Sequence, residues 1–324
     1  MKNSFRTEVS IHPSPRKINL KNKILTVGSC FSDSIGTKLV NHKFDCLVNP
    51  FGTTYNPYSI SKLLESCVKN NIPEEDLYLR FSDDLLYHYD YHSSLFAGNK
   101  DALKSIMETK SKACRQYLSP KSWVVITLGT SIGYRHLLTN KVVNNCHKQA
   151  SKNFQKVTLK PKRILDDLSK IIQQLPDCQI ILTVSPVRHI KDTIAKNQYS
   201  KSILRFCCEE LTEAHENVSY FPSYEIMIDD LRDYRFYSDD FIHPTPFAED
   251  YIWEKFAACY FDEETLSFLP KWKSIKTALS HKAFHPESQE HQLFIKNTIT
   301  KLENLSSYVD VNKELTTLKK QLRS

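Results

Sequence analysis

Residues 24–36 read ILTVGSCFSDSIG, a β-branched apolar run that enters a Gly-Ser-Cys-Phe turn and continues into a helix-compatible segment. Three further runs share the first half of that pattern: 123–129 (WVVITLG), 179–186 (QIILTVSP) and 217–226 (NVSYFPSYEI). Each is apolar nearly throughout, as a strand is when both of its faces are covered. Segments of helical character lie between them at 33–44, 57–71, 100–118, 161–175 and 197–216. Strands alternating with helices predict a mostly parallel sheet with helices on both faces, a three-layer α/β/α arrangement. After Pro244 the strand signal stops, and residues 246–261, 263–282 and 287–308 all read as helices. The expected organisation is an α/β domain over residues 1–260 and a helical C-terminal appendage over residues 261–324.

With 324 residues, 40% of them hydrophobic and 11% aromatic, the chain can bury a large core, and its mean hydropathy of -0.43 fits a soluble protein. No run is apolar enough to span a bilayer, and residues 1–20 lack the apolar core of a leader, so a cytoplasmic location is expected. Nine cysteines without a Cys-x-x-Cys pair suggest reduced thiols, mostly in the core. The net charge of +7 is dispersed, with patches at 159–164 and 318–324 but no aromatic-interleaved basic stripe, so nucleic acid is not an expected partner.

A glycine at the end of a buried strand, two small residues and a helix start form the place where an α/β sheet exposes ligand-binding or reactive groups. A helix N-terminus there would lower a thiol's pKa and offer N–H groups to an oxyanion. The same turn also fits a plain tight-turn Gly28 with Cys30 as a small buried hydrophobe. A second pattern lies at 237–256, where Asp240 precedes His243 by three residues just before a helix. That spacing lets a carboxylate hold one imidazole nitrogen and leave the other free as a base. Asp239 is an alternative carboxylate.

VGSCFSDSIG (27–36), NPFGTTYNP (49–57), VITLGTS (125–131), NNCHK (144–148), TVSPVRHIKD (183–192), NQYSKSIL (197–204), the long run 220–253 and HPESQEHQLF (285–294) together resemble the GSCFA family, with Ser32 in place of the alanine of its name. The resemblance extends from about residue 20 to residue 295. It implies a fold of the SGNH (GDSL-type) hydrolase or flavodoxin-like kind. It also implies Cys30 at the nucleophile position, Gly52 as the oxyanion glycine, Gly129-Thr130-Ser131 at a Gly-x-Asn turn, and Asp240 with His243 as the closing pair. A serine stands where that turn carries its amide, so Thr130, Ser131 and Asn145 are the candidate side-chain oxyanion donors. Beside a histidine a thiol ionises more readily than a hydroxyl, which favours Cys30 over Ser29; Ser29 would orient the loop.

The expected activity is hydrolysis of an acyl ester, with acyl transfer to a carbohydrate or acyl carrier, or binding without catalysis, as alternatives. No cofactor and no metal are expected. His88, Asp90 and His92 alternate as strand residues on one face would, yet they lack a further ligand at metal-like spacing. His92 and Ser93 are expected to line the cleft, and His147 and Lys148 its polar rim. Arg188 and His189 follow a strand, where a guanidinium suits an anionic group or an ion pair with Asp192. The 229–235 charge run reads as a solvated segment with internal ion pairs. A small-molecule or glycan acyl substrate is the expected partner, and the C-terminal helices could cover the cleft or join copies of the chain.

Overall fold

The computed structural model describes residues 7–71, 77–82, 84–281 and 283–322. In chain order the elements of its first half are β1 (Lys23–Gly28), α1 (Cys30–Asn41), β2 (Asp45–Val48), α2 (Pro57–Lys69), β3 (Tyr78–Ser82), β4 (Leu85–His88), α3 (Lys100–Gln116), β5 (Trp123–Leu128), β6 (Ile132–His136), β7 (Lys141–Val143) and β8 (Phe154–Thr158). There follow α4 (Pro161–Gln173), β9 (Gln179–Val184), α5 (Ile194–Ala214), β10 (Val218–Phe221), the single turn α6 (Ser223–Glu225), α7 (Pro246–Tyr260), α8 (Glu263–Ser280), α9 (Gln289–Glu303) and α10 (Asn312–Lys319).

The five-stranded sheet runs β10-β9-β5-β1-β2 with every pairing parallel. Its three inner strands carry the continuous apolar runs: all of β5, and all but the first residue of β1 and β9, are buried. One face packs Leu25, Val27, Val124 and Leu182 under α2, α4 and α5. The other packs Ile24, Val125 and Ile181 against Phe31 of α1 and Phe256 of α7. Helices therefore cover both faces, and the predicted three-layer α/β fold is the one observed.

Several elements differ from the sequence reading. The 217–226 run is a strand only over β10; Pro222 cannot donate to a ladder, and the chain turns into α6 and a π-helical turn, Ile226–Asp230. In the 229–235 charge run, Asp229 pairs with Arg232 and Asp233 with Arg235, whereas Asp230 is buried and bound by Lys255 at 3.0 Å and the Val9 amide at 2.7 Å. Strand alternation stops at His88, so Asp90 and His92 lie in a loop rather than on a strand face. Two small antiparallel sheets, β3-β4 and β7-β6-β8, accompany the main sheet, and residues of β6 and β7 line the cavity that Cys30 faces.

The C-terminal helices build a core of their own around Phe268, Trp272, Ile295 and Leu302, and α10 is an addition to the three predicted helices. They dock on the last turn of α1: the Trp272 indole donates to the Asn41 carbonyl at 2.8 Å, and Lys43 pairs with Glu314 at 2.7 Å. Among the described residues no helix is long and apolar enough to cross a membrane.

Candidate active site

The sheet's switch point, where a crevice opens beyond the carboxyl ends, lies between β1 and β5. Register sets Gly28 beside Thr127 and Leu128 beside Val184, so the segments that leave β1, β5 and β9 emerge at one level. Gly28 is obligatory: its φ is +138°, and a Cβ there would lie 2.1 Å from the Thr127 carbonyl oxygen. Its amide donates to Asn49 Oδ1 at 2.9 Å, and Asn49 Nδ2 donates to Asp33 at 2.8 Å, tying the strand end to α1.

Cys30 is the first residue of α1, half-buried, with its own amide and that of Phe31 turned toward the sulfur. The expected lowering of its pKa does not result. Burial, followed by the neighbouring Asp33 carboxylate, raises the thiol above its ordinary value, although the two amides and Lys201 pull the other way. Ser29, the N-cap, is fully buried and its hydroxyl has no hydrogen-bond partner, so it offers no reactive face to a cavity.

His243 stands on the loop before α7, closed by a bridge between Tyr237 and Pro244. Its Nδ1 lies 2.7 Å from Asp240 Oδ2. A carboxylate only accepts, so Nδ1 carries the proton and Nε2 is free to take one. Asp240 Oδ1 also accepts the amides of Ile242 at 2.9 Å and His243 at 3.0 Å. These bonds hold Asp240 down to about 2, the His243 amide contributing most. Asp239 is exposed.

A cavity of about 330 Å³ is lined by Cys30, Tyr55, Thr130, Asn144, Arg188, His189 and His243, among others. It thus brings together the predicted thiol and imidazole, with Thr130 and Arg188. Arg188 lies with its guanidinium 3.8 Å from the Tyr237 ring centroid and bonds the Phe241 carbonyl, bracing the loop of His243. Its alternative partner, Asp192, is taken by Lys156. His189 is driven down to about 3, chiefly by burial and then by the Lys201 charge, and is neutral.

Other candidates are placed elsewhere. The Gly52 amide is bound to the Asn49 carbonyl at 2.8 Å in a tight turn, with φ +71° and His92 packed where a Cβ would go. Ser131 is fully buried, its amide and hydroxyl bound to the Ser200 hydroxyl at 2.7 and 3.1 Å. Asn145 accepts the His147 amide and donates its own amide to Tyr89, outside the cavity lining. His92 bonds Ser94, and Ser93 bonds His147, so neither lines the cavity as expected. His147 is buried, stacked on Tyr87 at 4.8 Å, and neither it nor Lys148 forms a rim to the cavity. Asp90 pairs with Lys62 at 2.7 Å; among the described residues no cluster of three metal-ligating side chains occurs.

Three residues escaped the sequence reading. Asn144, one position before the candidate amide, reaches the cavity from the β6-β7-β8 sheet, where only strand register could have distinguished it from Asn145. Tyr55 accepts the Gly129 and Thr130 amides on its carbonyl, at 2.8 and 3.0 Å. Lys201, inside NQYSKSIL, is buried with 1% of its surface exposed, and nothing in that helical segment marks it apart from its neighbours.

The chain matches the GSCFA family over residues 23–256 and the description "GSCFA domain protein, C-terminal domain" over residues 272–324. No curated protein matches it. Similar solved structures include a protein described as a GDSL-like lipase from Parabacteroides merdae, 14% identical, covering 78% of this chain and 99% of that one with a TM-score of 0.38. A carbohydrate esterase family 2 enzyme with its carbohydrate-binding domain, from Corynascus thermopiles (Myceliophthora fergusii), is 13% identical, covering 79% and 69% with a TM-score of 0.37. A catalytic mutant of an acetylxylan esterase from Geobacillus stearothermophilus is 12% identical, covering 76% and 97% with a TM-score of 0.35. With well over half of its length matched, the chain belongs to the GSCFA family.

Proposed function

We propose that this chain hydrolyses acyl esters through the Cys30 thiol, with His243 as general base and Asp240 as the group that orients it. The reading rests on one observation: Cys30 and His243 line the same cavity, and the imidazole's outer nitrogen is left free by a 2.7 Å bond to Asp240. His243 Nε2 takes the thiol proton as Sγ attacks the carbonyl carbon, then returns it to the departing alkoxide. Water, deprotonated by the same nitrogen, attacks the resulting thioester and releases the acid and the free thiol.

The Cys30 amide, outside the helical ladder at the first position of α1, and the second N–H of the Asn144 side chain, whose nitrogen also donates to Thr54 Oγ1 at 3.3 Å, are the oxyanion donors in this scheme. Gly52 has no such part, its amide being bound already. Water is the favoured acceptor because the His243 and Asp240 side chains are 49% and 45% exposed, whereas transfer to an alcohol calls for a drier site.

The test is turnover of p-nitrophenyl acetate by the wild type, Cys30→Ala, Ser29→Ala and His243→Ala, with mass analysis of acid-quenched peptides. Loss of turnover in the Cys30 and His243 variants at unchanged thermal midpoint, with an acetyl group trapped on the Cys30 peptide, is expected. Turnover that survives Cys30→Ala but not Ser29→Ala would move the nucleophile to oxygen. Product that forms only with an added sugar alcohol would make the protein a transferase, and an inert wild type that still binds acetylated sugars would make it a binding module.

A further inference from the structure

The cavity wall carries three charged side chains, Arg188, Lys191 and Asp192, all from the segment that leaves β9. Asp192 is matched by Lys156. Among the described residues neither Arg188 nor Lys191 forms an ion pair with a carboxylate. The groups around the Arg188 guanidinium are neutral: the Tyr237 and Tyr234 ring centroids at 3.8 and 5.2 Å, and the Phe241 carbonyl at 3.4 Å. A guanidinium is always charged and has five N–H donors, which one carbonyl and the Tyr237 hydroxyl do not exhaust. His189, on the same wall, is neutral. Lys201 stays outside the lining, its Nζ donating to the Gly129 and Ser185 carbonyls at 2.8 and 2.7 Å. The wall is therefore cationic, and nothing in the chain answers its charge.

The cation is also placed on a particular side. Arg188 is fastened to the loop of His243, its amide donating to the Ile242 carbonyl at 3.2 Å and its guanidinium to that of Phe241. In the proposed reaction His243 returns a proton to the departing alkoxide, so the alcohol portion of the ester lies on this side. Cys30 follows β1 and Arg188 follows β9, with β5 between them. Two strand spacings of about 4.8 Å put roughly 10 Å between the points where the two segments leave the sheet. A cavity of about 330 Å³ is near the lower end of ligand-site volumes, which suits a small ester.

We infer that the cavity takes acyl esters whose alcohol portion bears a carboxylate or a phosphate, with Arg188 binding that anion and Lys191 adding a second, more exposed cation. Both anions present the paired oxygens that a guanidinium fork matches. The ester half of this statement rests on the hydrolase reading; the anion half does not.

Two measurements on the full chain test it. The first compares turnover of acetoxyacetate with that of its neutral isostere acetoxyacetamide. The second compares N-acetylglycine with N-acetylglycinamide, which have no ester to cleave, as protectants of Cys30 against iodoacetamide at pH 9. The wild type should prefer the charged member of each pair. Arg188→Gln should cut the charged-to-neutral ratio by about tenfold, as the loss of a charge-assisted hydrogen bond does, and Lys191→Gln by less. The ratio is read because Arg188 also braces the loop of His243: loss of bracing alone lowers both members alike and leaves the ratio unmoved. Arg188→Lys, which keeps the charge without the fork, should retain part of the preference. If Arg188→Gln fails to fold by circular dichroism, Arg188→Lys and the exposed Lys191→Gln carry the comparison. In the protection assay, 2-acetamidoethyl phosphate separates the two anions: stronger protection than N-acetylglycine assigns a phosphate, weaker protection a carboxylate. A wild type without charge preference, or an unmoved ratio in folded Arg188→Gln, overturns the inference. Charge-dependent protection without ester turnover keeps the anion site and removes the hydrolase reading; turnover blind to charge removes only the anion site.

Discussion

Asp240 binds His243 twice, through the imidazole Nδ1 at 2.7 Å and through the backbone amide at 3.0 Å, so one carboxylate shapes the loop and aims the ring. Asp240→Asn keeps an acceptor for the amides but no longer enforces the Nδ1–H tautomer. Turnover of p-nitrophenyl acetate should fall on the order of 10²–10⁴-fold, the usual span for a general-base contribution. The thermal midpoint should move little, as both side chains are half-exposed. Equal loss in Asp239→Asn with an active Asp240→Asn would reassign the partner.

Asp240 is held at about 2, below its ordinary value, so its bonds favour the folded state above the unfolded carboxylate range and are lost as pH falls from about 4 toward 2. Asp240→Asn should flatten that acid limb in urea titrations collected between pH 2 and 6. Identical limbs in the two proteins would show that the bond does not persist in solution.

Lys201 also makes stability rise with pH, but in a higher window and by relief of a burial cost rather than by gain of a bond. Its folded value of about 7 lies below the unfolded value of about 10.4, so the unfolded chain binds more protons between them and stability rises with pH across that window. Below pH 7 both states are protonated and the folded state bears the full burial cost. The difference in unfolding free energy between Lys201→Met and the wild type should therefore shrink, in the mutant's favour at low pH, as pH is raised from 7 to 10. A difference that stays flat would mean that the amine keeps its proton inside the fold throughout that window.

Cys30 should alkylate ahead of the other eight cysteines. Cys46 and Cys146 share its partial exposure, but burial pushes them up to about 12 and about 11, while Cys67 and Cys114 are closed to reagent. Because Cys30 is itself raised, labelling should be slow at pH 7 and accelerate toward pH 10. Peptide mapping of a brief iodoacetamide pulse at pH 9 checks the order, and first labelling at Cys146 would contradict it.

Gly28→Ala should cost roughly 2 kcal/mol or more, since it combines a strained φ with a 2.1 Å clash against backbone. Gly98→Ala, where the nearest atom would be 3.9 Å away, should lie within about 0.5 kcal/mol of wild type. Urea midpoints of the two variants provide the comparison.

The inner strands were legible because a segment buried on both faces has to be apolar throughout, as Trp123–Leu128 is. The edge strand Asp45–Val48 was not, being four residues long and only half covered. Cys30, Asp240 and His243 were singled out by local spacing together with the family resemblance, and Cys30 and His243 do line one cavity. Lys201 was hidden because its meaning depends on two carbonyls 72 and 16 residues away, and Asn144 because the choice between neighbours depends on which face of a small sheet meets the crevice. Ser131 misled for the reciprocal reason: Ser200, on a distant helix, occupies both its hydroxyl and its amide.

The docking of Trp272 and Lys43 acquires weight from where it occurs. Helix α1 has twelve residues, about 18 Å of stiff rod at 1.5 Å per residue. Cys30 is its first residue, and the indole of Trp272 donates to the carbonyl of its last, Asn41. A rod pinned at one end has its direction fixed at the other, so the C-terminal helices hold the far end of the element that carries the Cys30 sulfur while staying outside the cavity lining.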